Sequence, residues 1–227
     1  MAAAGTRILP PLPRPRRMRD FSAFETHASS AGQVPDIWYR WPLYYKVNTY
    51  AVIGPDCEVT WPDASTEIDY ELEIAAIIGK PGRGITKEQA REHIFGFTIF
   101  NDLSARDWQR CEFQAPLGPS RSKDFDGANV IGPCIVTLDE IPDIYALEMT
   151  AQVNGEEWSR GNTRTLYHSF EDMIVFVSAS ETLVAGELFG SGTVGSGCGM
   201  ELGRFLARGD TVQLTVEHLG SLSTVIR

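Results

Sequence analysis

The sequence predicts an α+β domain, predominantly β, with a few short helices. Three observations carry that expectation. Apolar residues alternate with period two in several short segments, an Asn154–Gly155 pair sits between two such segments, and no strand–helix–strand succession recurs along the 227 residues.

The elements follow in chain order. Residues 1–19, MAAAGTRILPPLPRPRRMR, hold four prolines and five arginines. Proline withholds a backbone donor and favours extended chain, so this stretch reads as a Pro/Arg-rich N-terminal arm, with Ile8 and Leu9 as its docking residues. Residues 20–227 are of a size that one hydrophobic core can organise, and they read as a single domain. Within it, DFSAFETHASSAG at 20–32 reads as a short helix ended by Gly32. TEIDYELEIAAIIG at 66–79 starts with period-two alternation and becomes a continuous apolar run, a strand entering the interior. Thr86 with Gln89 forms a capping box for a helix over 87–95 that Gly96 stops. FGFTIFND at 95–102 is a second buried strand whose polar end is Asn101 and Asp102. LEMTAQVNGEEW turns at Asn154–Gly155 and predicts a hairpin. In SFEDMIVFVSAS the residues Phe170, Met173, Ile174 and Val177 keep helical spacing, and DTVQLTVEHLGSLSTVIR returns to strand alternation at the C-terminus.

Composition excludes several partners. The net charge is −10, and all five arginines of the arm lie outside residues 20–227, which leaves 15 basic against 30 acidic side chains there. So acidic a body repels phosphate backbones and anionic lipid surfaces, so neither nucleic acid nor membrane is an expected partner. The four cysteines are widely spaced, without zinc-site or disulfide-scaffold patterns, and read as reduced thiols of a cytoplasmic protein. No uncharged apolar run approaches the ~18 residues that span a bilayer, and the N-terminus does not resemble a signal peptide. No GxGxxG or P-loop supports nucleotide binding.

The chemistry begins with acids. Residues two apart in a strand share a face, so Glu71 and Glu73 project together, either into water from a half-exposed strand or toward a cation that relieves their repulsion. Asp102 ends an unusually apolar strand and needs a partner. Convergent carboxylates without clustered Cys or paired His suit a hard, oxygen-preferring divalent ion, Mg²⁺, Mn²⁺ or Ca²⁺, rather than zinc.

D-Y-E-L-E at 69–73, F-N-D-L-S-A-R-D-W-Q at 100–109, S-K-D-F-D at 122–126, V-N-G-E at 153–156 and S-G-T-V-G at 191–195, with G-D at 209–210, resemble in that order the fumarylacetoacetate hydrolase superfamily. The resemblance runs across residues 20–227, and it implies a mixed β-sandwich roll, a homodimer and a divalent metal. It makes Glu71, Glu73 and Asp102 metal ligands. Asp20, Phe21 and His27 reproduce the family's D-F-x5-H spacing, which adds Asp20 as a fourth ligand and His27 as the general base. It further gives Glu201, in G-M-E-L-G, the task of orienting the histidine and Lys123 a place beside the metal. Arg106, Gln109 and Thr193 become substrate contacts. His93, His168 and His218 receive no role. The fumarylacetoacetases themselves carry a separate N-terminal domain, whereas this chain reaches the catalytic segment by residue 20. Glu25 lies two residues before His27 and is left without a role, and residues 110–120 read either as a loop over the site or as a plain connection.

The implied activity is metal-dependent hydrolysis of a C–C bond in a 1,3-diketo acid, fumarylacetoacetate- or acylpyruvate-like, by an activated water. An imidazole is the side chain suited to take that proton at neutral pH, and a cation plus Lys123 would lower the cost of the enolate left behind. The same ligands would serve a decarboxylase, hydratase or isomerase of an oxaloacetate- or hydroxymuconate-like 2-oxo acid, or a metal-binding subunit without turnover.

Overall fold

The computed structural model describes residues 8–30, 32–115 and 118–227. Its strands are β1 (Arg17–Phe21), β2 (Tyr44–Lys46), β3 (Val52–Ile53), β4 (Cys57–Val59), β5 (Ile68–Asp69), β6 (Leu72–Ile78), β7 (Ile94–Asp102), β8 (Ser104–Ala105), β9 (Asn129–Thr137), β10 (Glu148–Val153), β11 (Glu156–Asn162), β12 (Glu187–Gly190), β13 (Thr211–Val216) and β14 (Gly220–Ile226). Short helices intervene: α1 (Glu25–Ser30), α2 (Asp36–Arg40), α3 (Lys87–Ala90), α4 (Arg106–Glu112), α5 (Phe170–Ser178) and α6 (Gly199–Leu202). Seven strands form one mixed sheet in the order β2-β1-β12-β6-β7-β9-β3, and five form a second in the order β11-β10-β13-β14-β4. Their facing sides make a sandwich, the expected β-dominated architecture.

The two sheets differ in what they bury. In β10 and β13 every second residue is buried and the others reach toward solvent, the signature of a sheet covered on one face. All seven residues of β6 are buried. Its Leu72, Ile74, Ala76 and Ile78 join the sandwich core with Met149, Ala151, Val212 and Leu214 of the smaller sheet. Ala75 and Ile77 point the other way and pack with Met18, Phe100, Ile131 and Leu188 in a second apolar layer. The N-terminal segment covers this outer layer through Leu12, Val47 and Tyr45.

That covering corrects the arm. Ile8 and Leu9 are exposed, whereas Leu12 packs on the outer layer and Pro15 is buried. Arg17–Arg19, assigned to the arm from sequence, already run in β1 parallel to β12. Residues 1–7 of the arm lie outside the described residues.

The predicted helices are trimmed by the sheet. Asp20 and Phe21 end β1, so the helix expected over 20–32 forms only at Glu25–Ser30. The capping box of Thr86 and Gln89 is present, but its helix closes at Ala90, passes through one 3-10 turn and yields to β7 at Ile94. There β7 pairing with β6 and β9 outweighs the local helical pattern. The hairpin at Asn154–Gly155 and α5 form where their patterns place them.

Candidate active site

On the outer face of the larger sheet, strand parity turns apolar packing into an acid cluster within two residues. Along β6, Ile77 and Ala75 belong to the outer layer, and Glu73 and Glu71 continue the same face. On β7, Phe100 is followed on that face by Asp102, and on β1 Met18 is followed by Asp20. Asp20, Glu71, Glu73 and Asp102 each offer a carboxylate oxygen, and these oxygens lie within 4.8 Å of one another. All four are buried, with Glu71 2% and Glu73 0% exposed. The half-exposed strand that E-L-E-I allows is therefore not the one formed.

Two glycines make the convergence possible. Gly190 pairs with Asp20 across β1 and β12, and a side chain there would collide with the Asp20 carboxylate and the Phe100 ring. Gly192 has φ of 76° and sits against the Phe21 carbonyl, a position closed to other residues. Its N–H donates to Asp20 Oδ1 at 3.1 Å and to Glu73 Oε2 at 3.0 Å.

The cluster carries more negative charge than its partners neutralise. The Lys123 ammonium donates to Glu71 Oε2 at 2.8 Å and to Asp102 Oδ2, and the Tyr45 hydroxyl also donates to Asp102 Oδ2. Arg106 Nη2 lies 2.8 Å from Glu71 Oε1. Burial works against the Glu71 carboxylate, but the Lys123 and Arg106 cations override it and hold that group below its usual range. The other three go the opposite way. Burial, then the Asp102 charge, pushes Asp20 up to about 7. Burial lifts Asp102 to about 6 despite Lys123, and burial with the Asp20 and Glu71 charges raises Glu73 well above normal. Asp102 Oδ1 is buried without a hydrogen-bond partner. Four hard oxygen donors, one of them orphaned, with repulsion left uncompensated, fit a single divalent cation.

Beside this cluster lies an imidazole–carboxylate pair. His27 stands on α1 and Glu201 on α6, with Nδ1 and Oε1 3.5 Å apart. Burial would raise Glu201, but the neighbouring His27 imidazole wins and lowers it. Lys123, Arg106, Gln109 and Thr193 complete the neighbourhood. Arg106 Nη1 donates to Gln109 Oε1 at 2.9 Å, and Thr193 Oγ1 lies 3.5 Å from Glu73 Oε1. A cavity of about 360 Å³ opens onto Asp20, His27, Glu71, Arg106, Gln109, Lys123 and Thr193. Glu73 and Asp102 adjoin it through the carboxylate cluster, and Glu201 through His27. All ten residues singled out from sequence thus come together.

Three contributors were not assigned from sequence. Asp69, buried in β5, accepts from Arg106 Nε at 2.8 Å and from the backbone N–H groups of Gly199 and Met200 at 2.7 and 3.0 Å. It therefore fixes both Arg106 and the first turn of the helix that carries Glu201. The signal was present as the first letter of D-Y-E-L-E, but parity puts Asp69 with Glu71 and Glu73 without telling which partner each acid takes. Cys198 donates its thiol to Glu201 Oε2 at 3.4 Å, and burial pushes that thiol's pKa up, so it steadies the carboxylate; His27, Cys198 and Glu201 also lie close enough together to hold a metal ion. Tyr45 is the third, through Asp102. The histidines left without a role serve structure or solvent: His93 bonds the Lys80 carbonyl, His168 the Trp38 carbonyl, and His218 lies in an exposed turn. Glu25 accepts from the Tyr39 hydroxyl at 2.7 Å on the surface. Of the 110–120 segment, Phe113, Gly118 and Pro119 line the cavity, and residues 116–117 lie outside the described residues.

A β-sandwich that gathers carboxylates from three strands beside an imidazole–carboxylate pair offers an arrangement that could hold a divalent cation. The chain belongs to the fumarylacetoacetate hydrolase family, whose model, Fumarylacetoacetate (FAA) hydrolase C-terminal, matches residues 17–227. It is similar to a human mitochondrial oxaloacetate tautomerase, 38% identical over 182 residues, or 79% of this chain and 57% of that protein. The chain thus spans little more than half the length of that relative. Among solved structures it resembles 5-carboxymethyl-2-hydroxymuconate delta-isomerase from Mycobacterium smegmatis, with a TM-score of 0.81 and 31% identity, covering 97% of this chain and 81% of that one. It also resembles fumarylpyruvate hydrolase from Pseudomonas aeruginosa in complex with Mn²⁺ and pyruvate, with a TM-score of 0.83 and 25% identity, covering 99% of this chain and 94% of that one. Among the described residues no helix is long and apolar enough to cross a membrane.

Proposed function

We propose that the protein is a divalent-cation-dependent hydrolase, working with Mg²⁺ as a homodimer, that splits a C–C bond in an acylpyruvate-like 1,3-diketo acid. The observation that carries this reading is the His27–Glu201 pair at 3.5 Å, with His27 on the cavity wall beside Asp20 and Glu71. Decarboxylation chiefly needs an electron sink, whereas hydrolysis needs a base for water.

Asp20, Glu71, Glu73 and Asp102 would hold the cation, which when bound supplies Lewis-acid polarisation of the 2-oxo group. His27 takes a proton from water, and Glu201 stabilises the imidazolium formed and fixes its ring. Water oxygen bonds to the acyl carbon, the C–C bond to the pyruvyl methylene breaks, and the electron pair leaves as the pyruvate enolate. The proton held by His27 returns to that carbon, giving pyruvate and a carboxylic acid. Arg106, held by Asp69, and the Gln109 amide position the substrate carboxylate, and Lys123 offsets developing negative charge.

A second reading, a tautomerase or isomerase of a 2-oxo acid, is supported by the resemblance to the oxaloacetate tautomerase and to the hydroxymuconate isomerase. It uses the same base to shift a proton without breaking carbon–carbon bonds. Incubation with an acylpyruvate in ¹⁸O-water separates the two. The hydrolase reading expects pyruvate release with one ¹⁸O in the new carboxylate. Enol–keto interconversion of the intact acid or of oxaloacetate, with no pyruvate formed, would replace it with the second reading.

A further inference from the structure

The His27–Glu201 pair has a third member. Cys198 caps the start of α6 and Glu201 lies in its first turn, so their side chains meet across that turn. Cys198 Sγ donates to Glu201 Oε2 at 3.4 Å, and His27 Nδ1 lies 3.5 Å from Oε1 of the same carboxylate. Nδ1 is nevertheless buried without a hydrogen-bond partner. Helix α1 can bring its imidazole this close because Gly195 carries no side chain where Thr26 packs. One nitrogen, one sulfur and one oxygen, each from a different residue, thus lie within 4.8 Å of one another. Cys198 is buried, whereas the His27 side chain is 19% exposed and lines the cavity, so the triad reaches the cavity through His27.

From this arrangement we propose that His27 Nδ1, Cys198 Sγ and the Glu201 carboxylate form a second metal site, suited to a thiophilic ion such as Zn²⁺, and that its occupation disables the base. The inhibition rests on the proposed function of His27, whereas the site itself does not. Bonds of about 2.0–2.2 Å from zinc to nitrogen and oxygen and about 2.3 Å to sulfur, at tetrahedral angles, set neighbouring donors about 3.3–3.6 Å apart. The separations of 3.5 and 3.4 Å already match that spacing. Three protein donors leave the fourth tetrahedral position to water. The two sites differ in chemistry. Asp20, Glu71, Glu73 and Asp102 offer carboxylates alone and suit a hard ion, whereas a thiol, an imidazole and one carboxylate favour zinc over Mg²⁺. Zinc takes the thiolate, so the thiol proton passes to solvent as the S–Zn bond forms. A ring that coordinates through Nδ1 keeps its proton on Nε2, which then has no lone pair with which to take a proton from water. The same ion withdraws Glu201 from the imidazole it would otherwise stabilise.

The test uses Co²⁺ as a spectroscopic substitute for Zn²⁺, added to the full chain in excess Mg²⁺. A cobalt–thiolate bond gives a near-ultraviolet charge-transfer band that carboxylate ligation does not, so the readout is independent of turnover. A single equivalent of Co²⁺ per chain should produce the band and Zn²⁺ should displace it. The band should survive in Glu73→Gln and in Cys111→Ser, which alters an exposed thiol, and be lost in Cys198→Ser. Glu201→Gln keeps the thiol and should weaken Co²⁺ binding by about tenfold or more, which tests the site even where Cys198→Ser does not fold. No band in the parent protein, or a band that survives Cys198→Ser, overturns the site, and cleavage of an acylpyruvate in Mg²⁺ alone then leaves the proposed function standing. In rate assays with excess Mg²⁺, a single equivalent of Zn²⁺ should suppress turnover of the parent protein and leave the residual turnover of Cys198→Ser unchanged. A band without inhibition overturns the role of His27 as base, and the inhibition with it, while the metal site stands.

Discussion

The two faces of the seven-stranded sheet are built by the same strands and do opposite things. The inner face of β6 presents Leu72, Ile74, Ala76 and Ile78 to the smaller sheet and is apolar from end to end. The outer face runs Ile77, Ala75, Glu73, Glu71 and changes from packing to chemistry in one step. Apolar packing on the first face holds the strands in register, and that register brings acids from β1, β6 and β7 to one point on the second. Burial of the outer face then raises the electrostatic cost of those acids and leaves them a set that could hold a cation.

Substitutions at the polar end should therefore change chemistry without unfolding the chain, and the largest effect is expected at the base. His27→Ala should lower turnover by about 10²–10⁴-fold while Mg²⁺ affinity is kept, as read from steady-state rates and calorimetry on one preparation. Loss of metal with turnover retained would show that the imidazole is a ligand. Asp69→Asn should cost about 10–100-fold in kcat/KM, because Arg106 and the first turn of α6 lose a common anchor. A change in stability alone would reduce Asp69 to a packing role.

The core packed on the inner face should respond the other way. Leu214→Ala on β13 should destabilise the fold by about 2–5 kcal/mol in denaturant melts. Its Mg²⁺ affinity should stay within twofold or so of the parent, since residues without shared partners act almost independently. A large fall in affinity would mean that the faces are coupled.

A smaller effect lies in the pH dependence of the metal's stabilisation. With Asp20 near 7 and Asp102 near 6, both above their ordinary range, the metal-free folded state holds more protons than the unfolded chain. Its stability from these groups is greatest at low pH and falls as pH rises through about 4 to 7. Glu71, held low, stays ionised across that window. A divalent ion must displace the bound protons, so the thermal shift it produces should grow between about pH 5 and pH 8. A shift independent of pH would place the ion away from these carboxylates.

Much of this contrast could be read in the chain. The smaller sheet was legible because one of its faces meets water, which leaves period-two alternation in β10, β13 and β14. The strand that carries the site was harder, since a strand covered on both sides loses its alternation, and Glu71 and Glu73 then look like the solvent face of an ordinary strand. Their role came into view through ordered motifs and through the D-F-x5-H spacing of Asp20 and His27. Asp69, Cys198 and Tyr45 escaped because their parts depend on which neighbour each meets in space. The helix expected to reach residue 95 failed for a related reason: a capping box fixes where a helix starts, while the pairing of β7 decides where it stops.

The central claim is that Asp20, Glu71, Glu73 and Asp102 together bind one divalent ion. Titration of metal-free protein with Mn²⁺, followed by the electron paramagnetic resonance of the free ion, measures it directly. One tight site per chain, lost in Glu73→Gln and retained in His27→Ala, is the predicted result. No tight site in the parent protein, or a site unaltered by Glu73→Gln, would contradict it.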